Sequence, residues 1–396
     1  MAPIVWEDAE WAKELRPFLV HASRKIRVLH PCAGINAPER AARELAMPWV
    51  STGDYEVKPC LWGPLSKVSS NIDALHVGPR TGNVLAVDID SLDLTTDAVV
   101  AGPPCPPFSS MGARLVECDV RSSVFLTICV WILHLSRKGC LWFFVLENVM
   151  GVTKRKAGCE LSFGKWIMNE LQSELGVDWR IRAVQGNSSD CGLPQSRPRV
   201  FIIGTCPQLH STRRLDRISL QPPLVRPKVS LLSFLDMQQS PHDWDQLTVR
   251  QQVNAMEYMA RFEAMLRAGT AQSEIAVVDV ARDPLRAVDS CVVVDGTATL
   301  RTNSANIWLI PGPSMQAQFG VRGRLLNRDE KSRLAGVRPE SMSDLTRIQL
   351  EEAIGNTIPV ALIGSVLFPL LRAWVEAQMT IAQPASADSS SSNTHA

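Results

Sequence analysis

The chain has 396 residues, and its 41 lysines and arginines nearly balance 40 aspartates and glutamates, giving a net charge of +1. This balance excludes an overall basic field of the kind that attracts polyanions, so any contact with nucleic acid must come from a local patch. The ten cysteines occur without a Cys-x-x-Cys pair, a zinc-spaced Cys/His cluster or a signal peptide. They indicate reduced thiols in an intracellular protein, and we expect no structural metal.

The first two hundred residues predict alternating strands and helices. Residues 1–25 have the spacing of a short amphipathic helix, which we interpret as a packing arm. From Ile26 onwards the alternation is typical of β-α-β units, and it predicts an α/β fold with a doubly wound, mostly parallel sheet. The predicted strands are Ile26–Leu29, Trp49–Val50, Val84–Val87, Ala98–Ala101, Cys140–Leu146, Trp179–Val184 and Val200–Gly204, and the predicted helices are Glu39–Leu45, Val120–Leu135 and Lys165–Leu175.

The composition changes after Thr205. Scattered arginines and prolines, a polar helix near Leu247–Ala268 and β-rich pieces within Cys291–Ile310 predict a second lobe over 207–320. Helical α/β character then returns over 321–377.

Two further segments follow from apolar content. We expect the tail, 378–396, to be disordered, because its serine-rich end, PASADSSSSNTHA, has no large apolar residue to anchor it. The apolar stretches Val124–Leu135 and Ile358–Leu371 are too short or too interrupted by proline to span a membrane. We therefore predict buried helices there and no membrane association.

The most informative motif is AGPPCPPFSSMG, from Ala101 to Gly112. Four prolines around Cys105 end the preceding strand and stiffen the following loop, so the thiol is presented at the carboxyl edge of the sheet. Open α/β sheets bind their ligands at that edge. A lone cysteine is more often a small buried hydrophobe, so the rest of the chain must decide whether Cys105 is a nucleophile.

Two other strand ends carry polar residues. The strand Cys140–Leu146 is followed by Glu147 and Asn148, one unit after the cysteine loop. Arg197 and Arg199 stand two apart on an extended segment that leads into the last strand, so their side chains point the same way and could bind one polar ligand. Alternatively, Glu147 satisfies loop amides and the arginines are a solvated pair.

These blocks resemble the ordered signature motifs of the cytosine-5 DNA methyltransferases. The matching segments are AGPPCPPFSSMG, LENV at Leu146–Val149, QGNSSDCGLPQSRPRVFIIG at Gln185–Gly204, GRLLNRDEKSRLAGVRP at Gly323–Pro339 and EEAIGNTIPVALIGSVL at Glu351–Leu367. The resemblance implies a Rossmann-like class I methyltransferase fold that uses S-adenosyl-L-methionine. It divides the catalytic domain into 26–206 and 321–377, with a smaller target-recognition lobe at 207–320.

The resemblance also implies a chemistry and a role for five residues. The thiolate of Cys105 adds to C6 of cytosine, which makes C5 nucleophilic toward the methyl donor. Glu147 stabilises the ring at N3 and must be neutral or share a proton, while Asn148 holds the loop. Arg197 and Arg199 lie against the flipped base and its backbone, and Arg199 orients the cytosine and Glu147.

The substrate implied is double-stranded DNA, whose target cytosine must leave the stack to be reached. The segment after the cysteine, including Ser109 and Gly112, is expected to close over the base. The recognition lobe presents Thr297–Thr302 to the groove, and its arginines either contact phosphates or belong to a solvated surface. We expect a monomer, located in the nucleus of a eukaryote or the cytoplasm of a bacterium.

The cofactor end departs from the family pattern. Where the family has Phe-x-Gly-x-Gly-Gly, this chain has Cys32–Ala37 and retains only Gly34 of the fixed positions. Asn36 can adopt a left-handed backbone at modest cost, and Pro38 suits the first turn of a helix. We assign Gly34 and Ile35 to the cofactor.

Other cofactor candidates lie on later elements. Glu56, or Asp54 two residues earlier, is expected to bind the ribose hydroxyls, and Asp88 to accept from the adenine amino group. Pro104 and Asn356 complete the set. Taken singly, each acid is more often a solvated strand end.

Two alternatives to a DNA methyltransferase stay open. One branch of the resembling family methylates transfer RNA, although Ser109 replaces the threonine of that branch. A catalytically silent, nucleic-acid-binding descendant is the other, and the altered Gly34 loop motivates it.

Overall fold

A computed structural model describes residues 22–104, 120–155, 158–211, 229–285, 292–302 and 306–382. Its main feature is a seven-stranded sheet in the order β3-β2-β1-β4-β5-β7-β6, in which β7 runs antiparallel to both of its neighbours. The predicted α/β class with a mostly parallel sheet is confirmed. The strands are β1 Ile26–His30, β2 Trp49–Glu56, β3 Leu75–Val77, β4 Ala98–Ala101, β5 Phe143–Val149, β6 Arg180–Asn187 and β7 Pro198–Thr205.

One predicted strand is wrong. Val84–Val87 contributes a 3-10 turn at Val84–Ala86, whose first amides are capped by Asn83, and the third strand is Leu75–Val77 instead. The run at Val84 is apolar because Val84 packs into the core, not because it pairs in the sheet. A three-residue strand such as β3 has too few residues to show the two-residue periodicity of a strand.

Helices cover both faces of this sheet. The central strands β4 and β5 are buried, as expected for parallel strands covered on both sides. The helices are α1 Ala37–Glu44, α2 Pro59–Ser66, α3 Val120–Lys138, α4 Phe163–Leu175, α5 Pro207–Ser211, α6 Val249–Arg267, α7 Gln316–Phe319, α8 Arg328–Leu334, α9 Arg347–Asn356 and α10 Val360–Ala382.

The long C-terminal helix belongs to the core. By length and composition, the helical stretch Arg347–Met379 could cross a membrane, but 89% of its apolar window is buried inside the protein. It packs against α1 and the sheet, as predicted for Ile358–Leu371. Helix α10 ends at Ala382, five residues into the tail predicted to be disordered.

A second, antiparallel sheet has the strand order β11-β10-β8-β9. Together with α6 it encloses a separate core centred on Tyr258, Phe262 and Trp308. Its strands are β8 Ile275–Asp279, β9 Val293–Val294, β10 Ile307–Pro311 and β11 Arg324–Leu325. The last of these lies just beyond residue 320, where the sequence predicts the end of the lobe.

Candidate active site

The sheet topology brings the predicted strand ends together. Strands β1, β2, β4 and β5 are parallel, so their carboxyl ends share one edge of the sheet. Because β7 is antiparallel to β5, its first residues lie at that same edge, with Arg199 opposite Val149. Residues from three distant segments of the chain therefore meet there.

Glu147 and Arg199 form a buried ion pair at this edge. The Arg199 Nε lies 2.7 Å from Glu147 Oε1, and each side chain is about nine-tenths buried. Burial raises the pKa of Glu147, while the charges of Arg199 and Arg197 oppose that shift without cancelling it. A carboxyl group with a raised pKa can carry a proton near neutral pH, which a general acid requires.

The second oxygen of Glu147 is directed toward Gly102. A Cβ placed on Gly102 would lie 3.3 Å from Glu147 Oε2 and 3.5 Å from the side chain of Ile358. Arg199 occupies Oε1, whereas Oε2 has no hydrogen-bond donor among the residues described. This oxygen is therefore the one available to a ligand.

The start of the cysteine loop is tied to the same strand. Asn148 is buried, and its Nδ2 donates to the carbonyl oxygen of Pro103 at 3.3 Å. Pro104, the next residue, is half-buried. Cys105, Ser109 and Gly112 lie outside the described residues, so their predicted roles stay predictions.

A narrow cleft lies between the ends of β1 and β4, and we call it the β1–β4 cleft. Its walls are the β1–α1 loop, Val100 in β4 and Gly102 after it, and Asn356 to Ile358 at the end of α9. Its cavity volume is about 30 Å³, and the cleft is partly open to solvent. Because Gly102 borders both this cleft and Glu147, a ligand in the cleft would be next to the carboxyl group.

The β1–α1 loop has the left-handed backbone that the glycines of the family pattern favour. Gly34 has φ 58° and Asn36 has φ 53°, so the backbone is left-handed at two of the three positions where the family pattern has glycine. Asparagine pays less than most residues for this conformation. Asn36 also caps α1, because its side-chain oxygen accepts from the Glu39 amide, and Pro38 stands in the first turn.

A buried network supports this loop from below. Asp54 is fully buried, and its Oδ1 lies 2.7 Å from His30 Nδ1 and accepts from Asn36 Nδ2 at 3.1 Å. Its Oδ2 accepts from the Ser69 hydroxyl at 2.6 Å. Burial by itself raises the pKa of Asp54, but His30 and these hydrogen bonds outweigh burial, so the pKa lies below its usual value. Asp54 therefore acts within the protein and presents no free oxygen to a ribose.

Glu56 contacts the loop directly. Its Oε2 accepts from the Gly34 amide at 2.8 Å, and its Oε1 accepts from the Lys58 amide at 2.7 Å. Asp54 is also bonded to this loop, through the Asn36 side chain, but Glu56 is the acid that binds the loop backbone at Gly34. Burial raises the pKa of Glu56, against the effect of these amides.

His30, Glu39 and Asp54 also meet the spacing of a metal site, since one ligand atom from each lies within 4.8 Å of the others. However, Asp54 already accepts from Asn36 and Ser69, and its contact with His30 is a direct hydrogen bond. His30 and Asp54 therefore already bind each other, and we interpret these two residues as part of the hydrogen-bond network that supports the loop.

The remaining cofactor candidates are dispersed. Ile35 is buried in the core, and Asn356 lines the cleft with its side chain turned back onto the Glu352 carbonyl. Asp88 is exposed and caps the 3-10 turn Ile89–Ser91, and it is not among the described residues that line the cleft.

Arg197 differs most from its expected position. Its side chain is 1% exposed, and its Nη1 and Nη2 donate to carbonyl oxygens inside the protein. These two nitrogens of the guanidinium are therefore bonded to the protein backbone, although the charge of Arg197 still lowers the pKa of Glu147. The predicted contact with the cytosine stays a prediction.

Several residues of the site were not singled out from the sequence. His30, Gly102, Thr357 and Ile358 all line the β1–β4 cleft. Gly102 lies within the cysteine motif and Thr357 within the last signature block, so the family resemblance could have identified both as site residues. His30 carried no such signal, because a histidine at a strand end is common.

Comparison with known proteins gives a consistent picture. The family model described as C-5 cytosine-specific DNA methylase matches residues 76–370. The chain is 35% identical over 151 residues to the type II methyltransferase M.DdeI of Desulfomicrobium norvegicum, which covers 37% of this chain and 34% of that protein. It is 30% identical over 180 residues to the orphan methyltransferase M.SPRI of Bacillus phage SPR, covering 46% and 38%. The matched segments thus span about a third of these relatives.

Solved structures share the fold over more of the chain. The Dnmt2 methyltransferase of S. pombe aligns with a TM-score of 0.53 at 15% identity, covering 88% of this chain and 98% of that one. A putative DNA modification methyltransferase encoded within an E. coli prophage aligns with a TM-score of 0.52 at 16% identity, covering 87% and 98%. At such identities the likeness shows the fold alone.

Proposed function

Because the chain belongs to the C-5 cytosine-specific DNA methylase family, we propose that it is a DNA (cytosine-5) methyltransferase that uses S-adenosyl-L-methionine. The observation that carries the proposal is the buried Glu147–Arg199 pair, at the strand edge where the Cys105 loop begins. Nucleophile, proton donor and cofactor cleft are then supplied by neighbouring strand ends.

In this proposal, Cys105 and Glu147 act on opposite sides of the pyrimidine ring. The Cys105 thiolate forms a bond to C6, and the electron pair of the C5–C6 bond moves through the ring toward N3. Glu147 donates its proton to N3 through Oε2, the oxygen that Arg199 leaves free. The resulting enamine-like ring is nucleophilic at C5. After methylation at C5, a water molecule takes the C5 proton, and the electron pair of the C5–H bond re-forms the C5–C6 double bond and expels the thiolate from C6. The N3 proton returns to Glu147.

Arg199 has two roles in the proposal. It fixes the Glu147 carboxyl group through Oε1, so that Oε2 faces the ligand side. Its charge also limits how far burial raises the pKa of Glu147, which keeps the carboxyl group able both to give and to regain a proton.

The β1–β4 cleft is the proposed cofactor site, and S-adenosyl-L-methionine supplies the methyl group when bound there. The chemistry of the walls fits such a ligand. The left-handed loop with Gly34 lets the backbone approach closely, since nothing lies within 4 Å of the Cβ that Gly34 lacks. Glu56 lies beneath this loop as the candidate ribose-binding acid, and Asn356 and Thr357 form the opposite wall. Asp88 stays a proposed adenine contact.

Duplex DNA is the proposed substrate, since the family model that matches residues 76–370 is described as a C-5 cytosine-specific DNA methylase. The second lobe, with Thr297–Thr302, is the proposed reader of the DNA. A soluble location inside the cell, where DNA and reduced thiols coexist, suits this activity.

The test is transfer of a labelled methyl group to duplex DNA and, in parallel, to transfer RNA. We expect incorporation into DNA and its loss, by at least about a thousandfold, in C105S. C140S is the matched control, because Cys140 is an exposed free thiol before the amino end of β5 and should leave the rate unchanged.

The other readings have distinct outcomes. Incorporation into RNA alone would favour a transfer RNA methyltransferase, and no saturable binding of the cofactor would favour a silent descendant. Full activity of C105S would refute the covalent mechanism. Bisulfite sequencing of DNA from cells that express the chain would then report the sequence context.

A further inference from the structure

Arg197 connects three segments that are far apart in the chain. Its Nη1 donates to the Leu300 carbonyl at 2.7 Å, and its Nη2 donates to the carbonyls of Gly355 at 2.7 Å and Thr357 at 2.6 Å. We call these four residues the Arg197 junction. A guanidinium presents its donors in a fixed planar fork, so it fixes these carbonyls relative to one another.

The backbone around the junction is paired as well. The amide of Ser196 donates to the Thr297 carbonyl at 2.9 Å, and the Thr297 amide donates to Pro194 at 2.7 Å. The Thr299 hydroxyl donates to the Ser196 carbonyl at 2.8 Å. Residues 297–300 are therefore attached to the segment that leads into β7.

Gly355 brings the end of α9 against the same segment. A Cβ at Gly355 would lie 2.2 Å from the Thr302 amide nitrogen, a distance that no side chain tolerates. The two backbones consequently touch directly, and any side chain at position 355 must push residues 301–302 away from α9.

Each of the three segments leads to a different part of the proposed active site. The residues after α9, Thr357 and Ile358, form a wall of the β1–β4 cleft. The start of β7 carries Arg199, which pairs with Glu147. Residues 297–302 are the segment that the sequence assigns to the DNA groove.

We propose that Arg197 is a positioning residue that couples occupancy of the cofactor cleft to binding of DNA. The inference rests on the proposed function. A ligand that orders the cleft wall at Thr357 also orders residues 297–302 through the guanidinium, and the converse holds for DNA. Because such coupling is reciprocal, each ligand tightens binding of the other by the same factor.

The experiment measures the dissociation constant of cytosine-containing duplex DNA with and without saturating S-adenosylhomocysteine. In the wild type, S-adenosylhomocysteine should lower the dissociation constant for DNA by at least about fivefold. We call the constant without it divided by the constant with it the ratio. R197K keeps a charge but offers one nitrogen in place of the fork, so the ratio should fall to nearly one. G355A leaves the Arg197 side chain in place but pushes residues 301–302 away from α9, at the end of the helix whose Gly355 carbonyl Arg197 binds, and should lower the ratio in the same way.

The matched control is R324K. Arg324 is equally buried and also donates to backbone carbonyls, those of Asp236, Gln238 and Leu325, and it pairs with Glu330. None of these partners lines the β1–β4 cleft. R324K should reproduce the general loss of stability that follows removal of a buried arginine, measured by urea unfolding, and keep the wild-type ratio. If the role of Arg197 were purely structural, R197K would likewise lose stability and keep the wild-type ratio.

Hydrogen exchange on the free protein supplies a readout that needs no ligand. R197K should speed exchange at the amides of Ser196, Thr297 and Thr357 together, and R324K should not. The coupling is overturned if R197K keeps the wild-type ratio, if the wild type shows a ratio of one, or if these amides exchange as in the wild type. A wild-type chain that methylates no DNA instead refutes the proposed function, and the coupling with it.

Discussion

The Glu147–Arg199 pair and the β1–α1 loop lie at one edge of the same sheet, yet they are built differently. The pair consists of residues that follow the family pattern, and it needs only the register of β5 and β7. The loop lies before residue 76, where the family match begins, and has lost most of the expected residues. It keeps its shape through Asn36 and the buried Asp54. The proposed chemistry of the pair requires a carboxylate and a guanidinium at these two positions. The loop requires only a backbone shape, which residues other than glycine, such as Asn36, can also adopt.

The largest effect is expected from substitutions of Glu147, the proposed proton donor of the pair. E147A should lower kcat/KM for DNA by about two to four orders of magnitude, since it removes the proton donor. E147Q keeps a hydrogen-bond donor for N3 and should lose less. The measurement is methyl transfer over a range of pH, and equal rates for all three proteins would remove Glu147 from the mechanism.

The pH dependence of an Arg199 variant tests whether Glu147 is the proton donor. Because Glu147 must be protonated, the rate should fall as pH rises through its pKa, which burial raises. R199Q removes a charge that lowers this pKa, so the basic limb of the kcat/KM profile should move to higher pH. The rate at the optimum should fall by about 10²-fold, as for loss of one preorganised donor. A basic limb that stays in place would show that another group titrates.

Asp54 tests whether the loop depends on its buried support. D54N leaves His30, Asn36 or Ser69 without an acceptor and should lower the free energy of unfolding by about 2–3 kcal/mol. It should also raise KM for the cofactor. D93N is the control, because the Asp93–Arg27 pair is partly exposed and worth less than about 1 kcal/mol.

The same variant has a defined pH signature. The pKa of Asp54 lies below its usual value in the folded protein, so its stabilisation is present above the unfolded value of about 3.9 and lost as pH falls through the folded one. D54N should therefore lose stability at pH 7 and match the wild type more closely in acid. Equal differences at both pH values would contradict this.

The smallest effect is expected at Asn36. N36G restores the glycine of the family pattern and keeps the positive φ, but it loses the helix cap and the hydrogen bond to Asp54, so it should cost about 1 kcal/mol. N36A loses the same two bonds and also strains the left-handed backbone, so it should cost about 1–2 kcal/mol more than N36G. If alanine were as stable as glycine in thermal unfolding, the left-handed position would not matter.

The signature motifs predicted most residues of the candidate site, whereas the apolar pattern predicted the bounds of strands and helices less completely. The helices at Val120 and Lys165 are long and flanked by clear strands, and their predicted extents nearly match the structure. The strand at Leu75–Val77 is three residues long, so its pairing depends on β2 and not on its own sequence. Apolar content alone pointed to Val84 instead, because burial in a core and pairing in a sheet select the same residues.

The sequence alone determined the family resemblance, the order of the strand ends and the residue types that the chemistry needs, because these are local and follow each strand directly. Tertiary structure decided how the residues are used. It made Asp54 a buried support and brought Glu56 to the Gly34 amide. It also turned Arg197 toward the carbonyls of Leu300, Gly355 and Thr357. Those partners lie more than a hundred residues away in the chain, and only the packing of the folded protein sets which donor meets which acceptor.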